Sequence, residues 1–187
     1  MEGKVLCAIQ LARKCAAFFG ALSFVSATTA QQRILKPEVP AELNAPEGQE
    51  VVLRAHAKGV QIYSCFAGAD GKYVWTLKAP KAKLFNEKGK QIGEHFLGPT
   101  WRLKDGSEVT GKAAAKHEAP QVNAIPWLRV TVTGHKGSGV LENVTTIQRV
   151  NTHGGVADAS AACDPSRNVT ESKRPYSADY YFYAPSK

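Results

Sequence analysis

No stretch of this sequence carries the ~20 consecutive apolar residues that a membrane-crossing helix needs. It has no internal repeat, which sets aside solenoids and propellers. No βαβ period runs along it and no GxGxxG follows a strand, which sets aside a dinucleotide-binding fold. Acidic residues are scarce, 16 against 24 Lys and Arg, so the formal net charge is +8. Cysteine is scarce too, with four in 187 residues and no CxxC pair, so neither a zinc ribbon nor a redox dithiol is legible. With 43% hydrophobic and 21% charged residues, what remains is the balance of one ordinary globular domain.

The first thirty residues stand apart. Lys4, Arg13 and Lys14 precede an apolar run, Cys15–Val25, and small residues follow up to Ala30. This is the three-part pattern of a cleavable secretory signal, with cleavage expected after Ala30 or Ala27. Removal of residues 1–30 takes away those three cations and Glu2 and lowers the net charge to +6. It also takes Cys7 and Cys15, leaving Cys65 and Cys163, which are expected to pair in an oxidising compartment. The protein is therefore expected to be secreted or periplasmic and monomeric, with no transmembrane segment in its mature chain.

Residues 31–49 contain Pro37, Pro40 and Pro46 and no apolar period, and read as a flexible tether. From Glu50 onward the pattern is β. Val51, Leu53 and Ala55 alternate with Val52, Arg54 and His56. Lys58-Gly59 reads as a turn into Val60–Phe66, and Ala69–Gly71 as a turn into Tyr73–Leu77. Two hairpins follow, around Asn86–Gly89 and around Asp105-Gly106, the latter a strong hairpin dipeptide. Residues 113–119 (AAAKHEA) are the one later segment of helical composition, about two turns long. Residues 127–133 and 140–150 read as strands joined by a Gly-rich turn, 151–174 as irregular, and Tyr176–Tyr183 as an aromatic closing strand. The expectation is a single all-β domain over 50–187, an antiparallel barrel or sandwich of about 8–10 short strands with at most one short helix.

Several motifs fail on their chemistry. Gly106–Lys112 has the GxxxxGK spacing of a phosphate loop, but Ala113 stands where a magnesium-binding Ser or Thr is required. Gly137-Ser138-Gly139 lacks the spacing of a nucleophile elbow. Glu94-His95 and His117-Glu118 lack the second histidine of HExxH, and the five histidines are never at close ligand spacing. No metal or cofactor site is therefore assigned. The lysines of 78–90 surround a turn with only Phe85 among them, which reads as a solvated hairpin rather than a nucleic-acid surface. Contact with a polyanion or the cell envelope stays open.

Two places hold the candidate site residues. Gly93–Trp101 sets Glu94, His95 and Trp101 around a Gly-Pro bend of the kind found at a barrel rim. In Ser177–Tyr183, alternation puts Tyr180 and Phe182 on one face and Asp179, Tyr181 and Tyr183 on the other. Trp101, Tyr181 and Tyr183 are the binding candidates. His95 as base, Glu94 or Asp179 as its partner and Arg149 as an anion clamp are the catalytic ones.

The segments LRAHAKGVQIYSC (53–65), YVWTLKAPKAKLFNEKGKQIGEHFLGPTW (73–101), IPWLRVTVTGHKGSGVLENVTTIQRVNTHGGV (125–156) and PYSADYYFY (175–183) resemble the DUF3455 family of exported bacterial and fungal proteins. The resemblance covers roughly residues 42–183 and implies no chemistry, because the family's function is unknown. Two expectations follow: an exported, non-catalytic binding or envelope-associated module for an unidentified ligand, or a small extracytoplasmic hydrolase, lyase or isomerase with its site around His95 and Asp179. A shared pocket for His95, Asp179 and Arg149 would favour the second.

Overall fold

A computed structural model describes residues 34–159 and 161–186; the expected signal peptide lies outside them. Eight antiparallel strands form one sheet that closes in a ring, an irregular barrel. In chain order they are β1 (Gln49–Ala67), β2 (Tyr73–Phe85), β3 (Gln91–Phe96), β4 (Thr100–Leu103), β5 (Glu108–His117), β6 (Trp127–Lys136), β7 (Thr146–Gly154) and β8 (Glu171–Pro185). Each strand pairs with its sequence neighbours, and β8 closes the ring on β1 over the register Gln49↔Pro185 to Ser64↔Glu171. Closure gives every strand two neighbours, although β2 meets β3 only over Ala82–Phe85 and pairs along the rest of its length with β1 alone. Among the described residues the remaining regular structure is two single turns of 3₁₀ helix, Ala41–Leu43 and Pro165–Arg167.

Period-2 alternation sorts the side chains. Ala55 and Ala57 of β1, Leu84 of β2, Trp101 of β4, Val130 of β6, Ile147 of β7 and Ala178, Tyr180 and Phe182 of β8 fill one buried cluster inside the ring. Small residues on β1 face large aromatics on β8, so the interior is filled by complementary sizes. The partners of these residues in the alternation, among them Arg54, His56 and Asp179, fall on the outer wall.

Four sequence expectations are corrected. Lys58-Gly59 is not a turn: β1 runs unbroken through it for 19 residues. A Cβ on Gly59 would lie 2.2 Å from the Lys81 carbonyl oxygen, so the glycine admits a close approach of β2 rather than a reversal. Residues 113–117 are strand, not helix. They pair with β6 through Ala113↔Val130 and Lys116↔Leu128, and a ladder outweighs a two-turn helix of weak intrinsic stability. Residues 140–145 precede β7 instead of belonging to it. Asp105 accepts from the Val140 N–H (2.9 Å) and Ser107 Oγ from the Leu141 N–H (3.2 Å), anchoring this segment to the β4–β5 turn. Leu141 and Val144 are thereby driven fully into the core.

The fourth correction concerns the expected tether. Residues 34–48 lie against the outer wall. Ile34, Val39 and Ala45 pack on Val150, Tyr181 and Tyr183. Leu43 is fully buried, and its carbonyl accepts from Gln148 Nε2 at 2.6 Å. Glu42 meets His117 Nδ1 at 2.7 Å. Proline here limits the strap's freedom without hindering docking, since the strap supplies no ladder. Leu43→Ala should cost about 2–5 kcal/mol in urea unfolding, the usual range for emptying a buried leucine site. A loss below 0.5 kcal/mol would show that the strap is not part of the cooperative fold.

Cys65 and Cys163 form a disulfide with Cα atoms 5.6 Å apart. It fastens residues 161–170 across the far end of β1 and β2. Cys65 N–H donates to Thr170 O, Val169 N–H to Cys65 O, and Trp75 Nε1 to Ala161 O.

Candidate functional site

The most organised polar cluster on the outer wall is centred on Asp179. In β8, Asp179 falls between the inward Ala178 and Tyr180, so its carboxylate faces outward. The register sets it directly opposite His56 on β1 and Val150 on β7. Asp179 Oδ1 meets His56 Nδ1 at 2.8 Å, and Oδ2 accepts from Arg54 Nη2 at 3.1 Å and from Asn151 Nδ2 at 3.0 Å. Asn151 has φ of 50° and sits where the β7–β8 register shifts. That left-handed residue in a bulge lets a β7 side chain reach the carboxylate.

Electrostatics follow from this geometry. Burial by itself would raise the Asp179 carboxyl. The bonds from Asn151, His56 and Arg54, with the charge of Arg54, outweigh it and hold the group below the ordinary carboxylate value. Arg54 also lies over the Tyr181 ring at 5.5 Å and 3.7 Å from Glu87. A groove of about 610 Å³ opens in front of the cluster, lined by Arg54, His56, Lys58, Asp179 and the β2–β3 turn around Phe85–Gly89. The turn is rigid: Asn86 Oδ1 accepts from the N–H groups of both Lys88 and Lys90. Lys58 lines a second, more apolar hollow as well, so the two adjoin.

The expected catalytic residues are not brought together. His95 is inside the ring, stacked on Trp101 at 4.3 Å between centroids and edge-on to Tyr180. Burial lowers its pKa to about 3; the Nδ1–H bond to Thr100 O (2.9 Å) works against the shift and the charge of Arg149 adds to it. Arg149 donates Nε and Nη2 to Pro126 O, and its charge acts on the buried Tyr176 and Tyr180. Asp179, on the neighbouring position to Tyr180, faces the other way. Glu94 is exposed, 3.8 Å from Arg102. No described groove is lined by His95 and Asp179 together.

Of the binding candidates, Trp101 is core, Tyr181 is buried beneath Arg54, and Tyr183 donates to Gln148 Oε1 under the strap. Sequence reasoning missed Arg54, His56 and Asn151. The alternation of Arg54, His56 and Lys58 with Ala55, Ala57 and Gly59 was the available signal for a polar wall. Nothing local told that Asp179, 123 residues after His56, would stand across from it. Among the described residues no helix is long and apolar enough to cross a membrane, and no three His, Cys, Asp or Glu side chains cluster as metal ligands.

No curated protein and no solved structure matches the chain. A family model does: residues 46–184, from just before β1 almost to the end of β8, match the one described as a protein of unknown function, DUF3455, and the chain belongs to that family.

Proposed function

We propose that the domain is a non-catalytic extracytoplasmic binding module that captures an anionic ligand on the outer wall of β1. The observation that carries this reading is the fixed arrangement of Arg54 and His56 on Asp179, beside the exposed Lys58. Among the described residues Lys58 has no carboxylate partner. Side chains that are already ordered lose little entropy on meeting a ligand, which is how preorganised sites gain affinity. The disulfide is compatible with an extracellular location, where such a bond persists.

Amide spectra of the purified protein test the reading, with acetate titrated against its uncharged isostere acetamide. Millimolar acetate should shift amides of Arg54–Lys58 and of the Phe85–Gly89 turn, and Lys58→Glu should weaken the effect at least threefold. Equal shifts with acetamide, or shifts scattered over the barrel, would remove the anion site.

A second reading has one observation in its favour. A carboxylate bonded to imidazole Nδ1 is the arrangement by which a general base is oriented. The groove lining holds no Ser, Thr or Cys, so such an enzyme would use water or abstract a proton. Turnover of any substrate that vanishes in His56→Gln while acetate binding persists would replace the first reading with this one.

A further inference from the structure

We infer that the ligand of this wall is a single-chain anionic amphiphile, its head held at Lys58 and Lys83 and its chain lying in the neighbouring apolar hollow. The inference rests on the anion-binding reading and specifies its ligand.

The outer face of β1 changes character along its length. Arg54, His56 and Lys58 give way to Val60 and Ile62. Across the β1–β2 ladder, Lys58 stands opposite Lys83, Val60 opposite Lys81 and Ile62 opposite Ala79. On the next strand Phe96 continues the apolar surface, with Leu97 beyond it 62% exposed. These side chains enclose a hollow of about 530 Å³, within the usual size of a small-molecule site. Arg102 covers the Phe96 ring at 4.8 Å from its centroid, and its charge is already engaged by Glu94 and Glu108.

The lysines are different. Lys58, Lys81 and Lys83 are exposed and form no ion pair among the described residues; Glu94, opposite Lys83 on β3, is drawn to Arg102 instead. Lys58 and Lys83 are directly opposed, and like charges in that relation destabilise a strand pair. An anionic head between them turns the repulsion into two attractions. The chain attached to that head then has Val60, Ile62, Ala79 and Phe96 to cover. Half-buried apolar side chains in a hollow whose rim carries Lys58, Lys81 and Lys83, with Glu94 turned to Arg102, are the mark of a binding surface. A concave hollow takes one chain, whereas a bilayer would meet a protruding apolar tip.

Calorimetric titration of the intact protein with acetate, hexanoate, octanoate and decanoate, each below its micelle concentration, tests the inference. Full burial of a methylene is worth about fourfold in affinity, and a half-open hollow should give about twofold per methylene. Lys58→Gln with Lys83→Gln, which removes the opposed like charges, should weaken decanoate at least tenfold. Both positions are exposed, so a melting temperature at or above that of the unaltered protein establishes that the fold is intact. Affinity independent of chain length would overturn the amphiphile while leaving anion capture standing. Binding to phosphatidylglycerol vesicles with none to monomeric decanoate would overturn it in favour of a membrane surface.

Discussion

Cys65→Ser combined with Cys163→Ser should lower the stability of the folded domain by as much as about 4–5 kcal/mol. The two cysteines are 98 positions apart, and closing a loop of that length removes about this much chain entropy from the unfolded state. For a domain of this size the melting temperature should fall on the order of 10–15 °C. The first local consequence should be in residues 155–170. Among the described residues of that segment, the bonds to the barrel include Tyr63 OH to Gly155 O at 2.8 Å and Cys65 N–H to Thr170 O at 3.1 Å. Amide exchange there should quicken before the β1–β8 ladder is affected, because that ladder extends along most of both strands. Cys65 is fully buried, so the double variant is a cleaner test than a reductant. A melting temperature within 2 °C of the unaltered protein would mean that the irregular segment is held by its hydrogen bonds alone.

The all-β class, the hairpins at Asn86–Gly89 and Asp105-Gly106 and the pairing of the two cysteines were legible because each is written in a few adjacent residues or in simple elimination. What was not legible depends on distant partners. Gly59 has the local signature of a turn, and only the approach of Lys81 shows that it is a narrow place in a long strand. Residues 113–117 are helical by composition, and only the presence of β6 makes them a strand. The proline-rich strap looked free because the groove that receives Leu43 is made from other segments. The candidate site has the same history. Asp179 and Arg54 were both visible as polar residues on alternating strands, but their meeting depends on ring closure between the first and last strands. His95 misled in the opposite way. A polar residue beside a Gly-Pro bend resembles a rim group, whereas the alternation of β3 turns it inward onto Trp101.

That inward histidine should make the fold acid-labile well above the pH at which carboxylates titrate. Unfolded, the His95 imidazole takes up a proton near 6.5; folded, it stays neutral until about 3, mainly because burial penalises the charged ring. Between those values the unfolded state binds more protons, so stability falls as pH drops from 6.5 toward 3 and is fully retained above 6.5. Two pH units into that window, at pH 4.5, His95 alone should have withdrawn about 3 kcal/mol. The aspartates held low, Asp105, Asp164 and Asp179, lose their contribution only from about pH 4 downward, and the exposed Glu42 and Glu171 from about pH 4.5. The interval from 6.5 to 4.5 therefore separates the imidazole from them. His95→Phe keeps a ring against Trp101 but leaves the Thr100 carbonyl without its donor. It should cost about 1–3 kcal/mol at pH 8 while flattening the acid slope by the amount assigned to His95. Urea unfolding of both proteins at pH 8.0, 6.5, 5.5 and 4.5 gives the comparison. All other ionisable groups are common to the two proteins, so their contributions cancel in the difference. Parallel slopes would mean that His95 accepts its proton inside the barrel, with water or a rearranged Tyr180 as partner, and that the interior is less closed than the stacking of its rings implies.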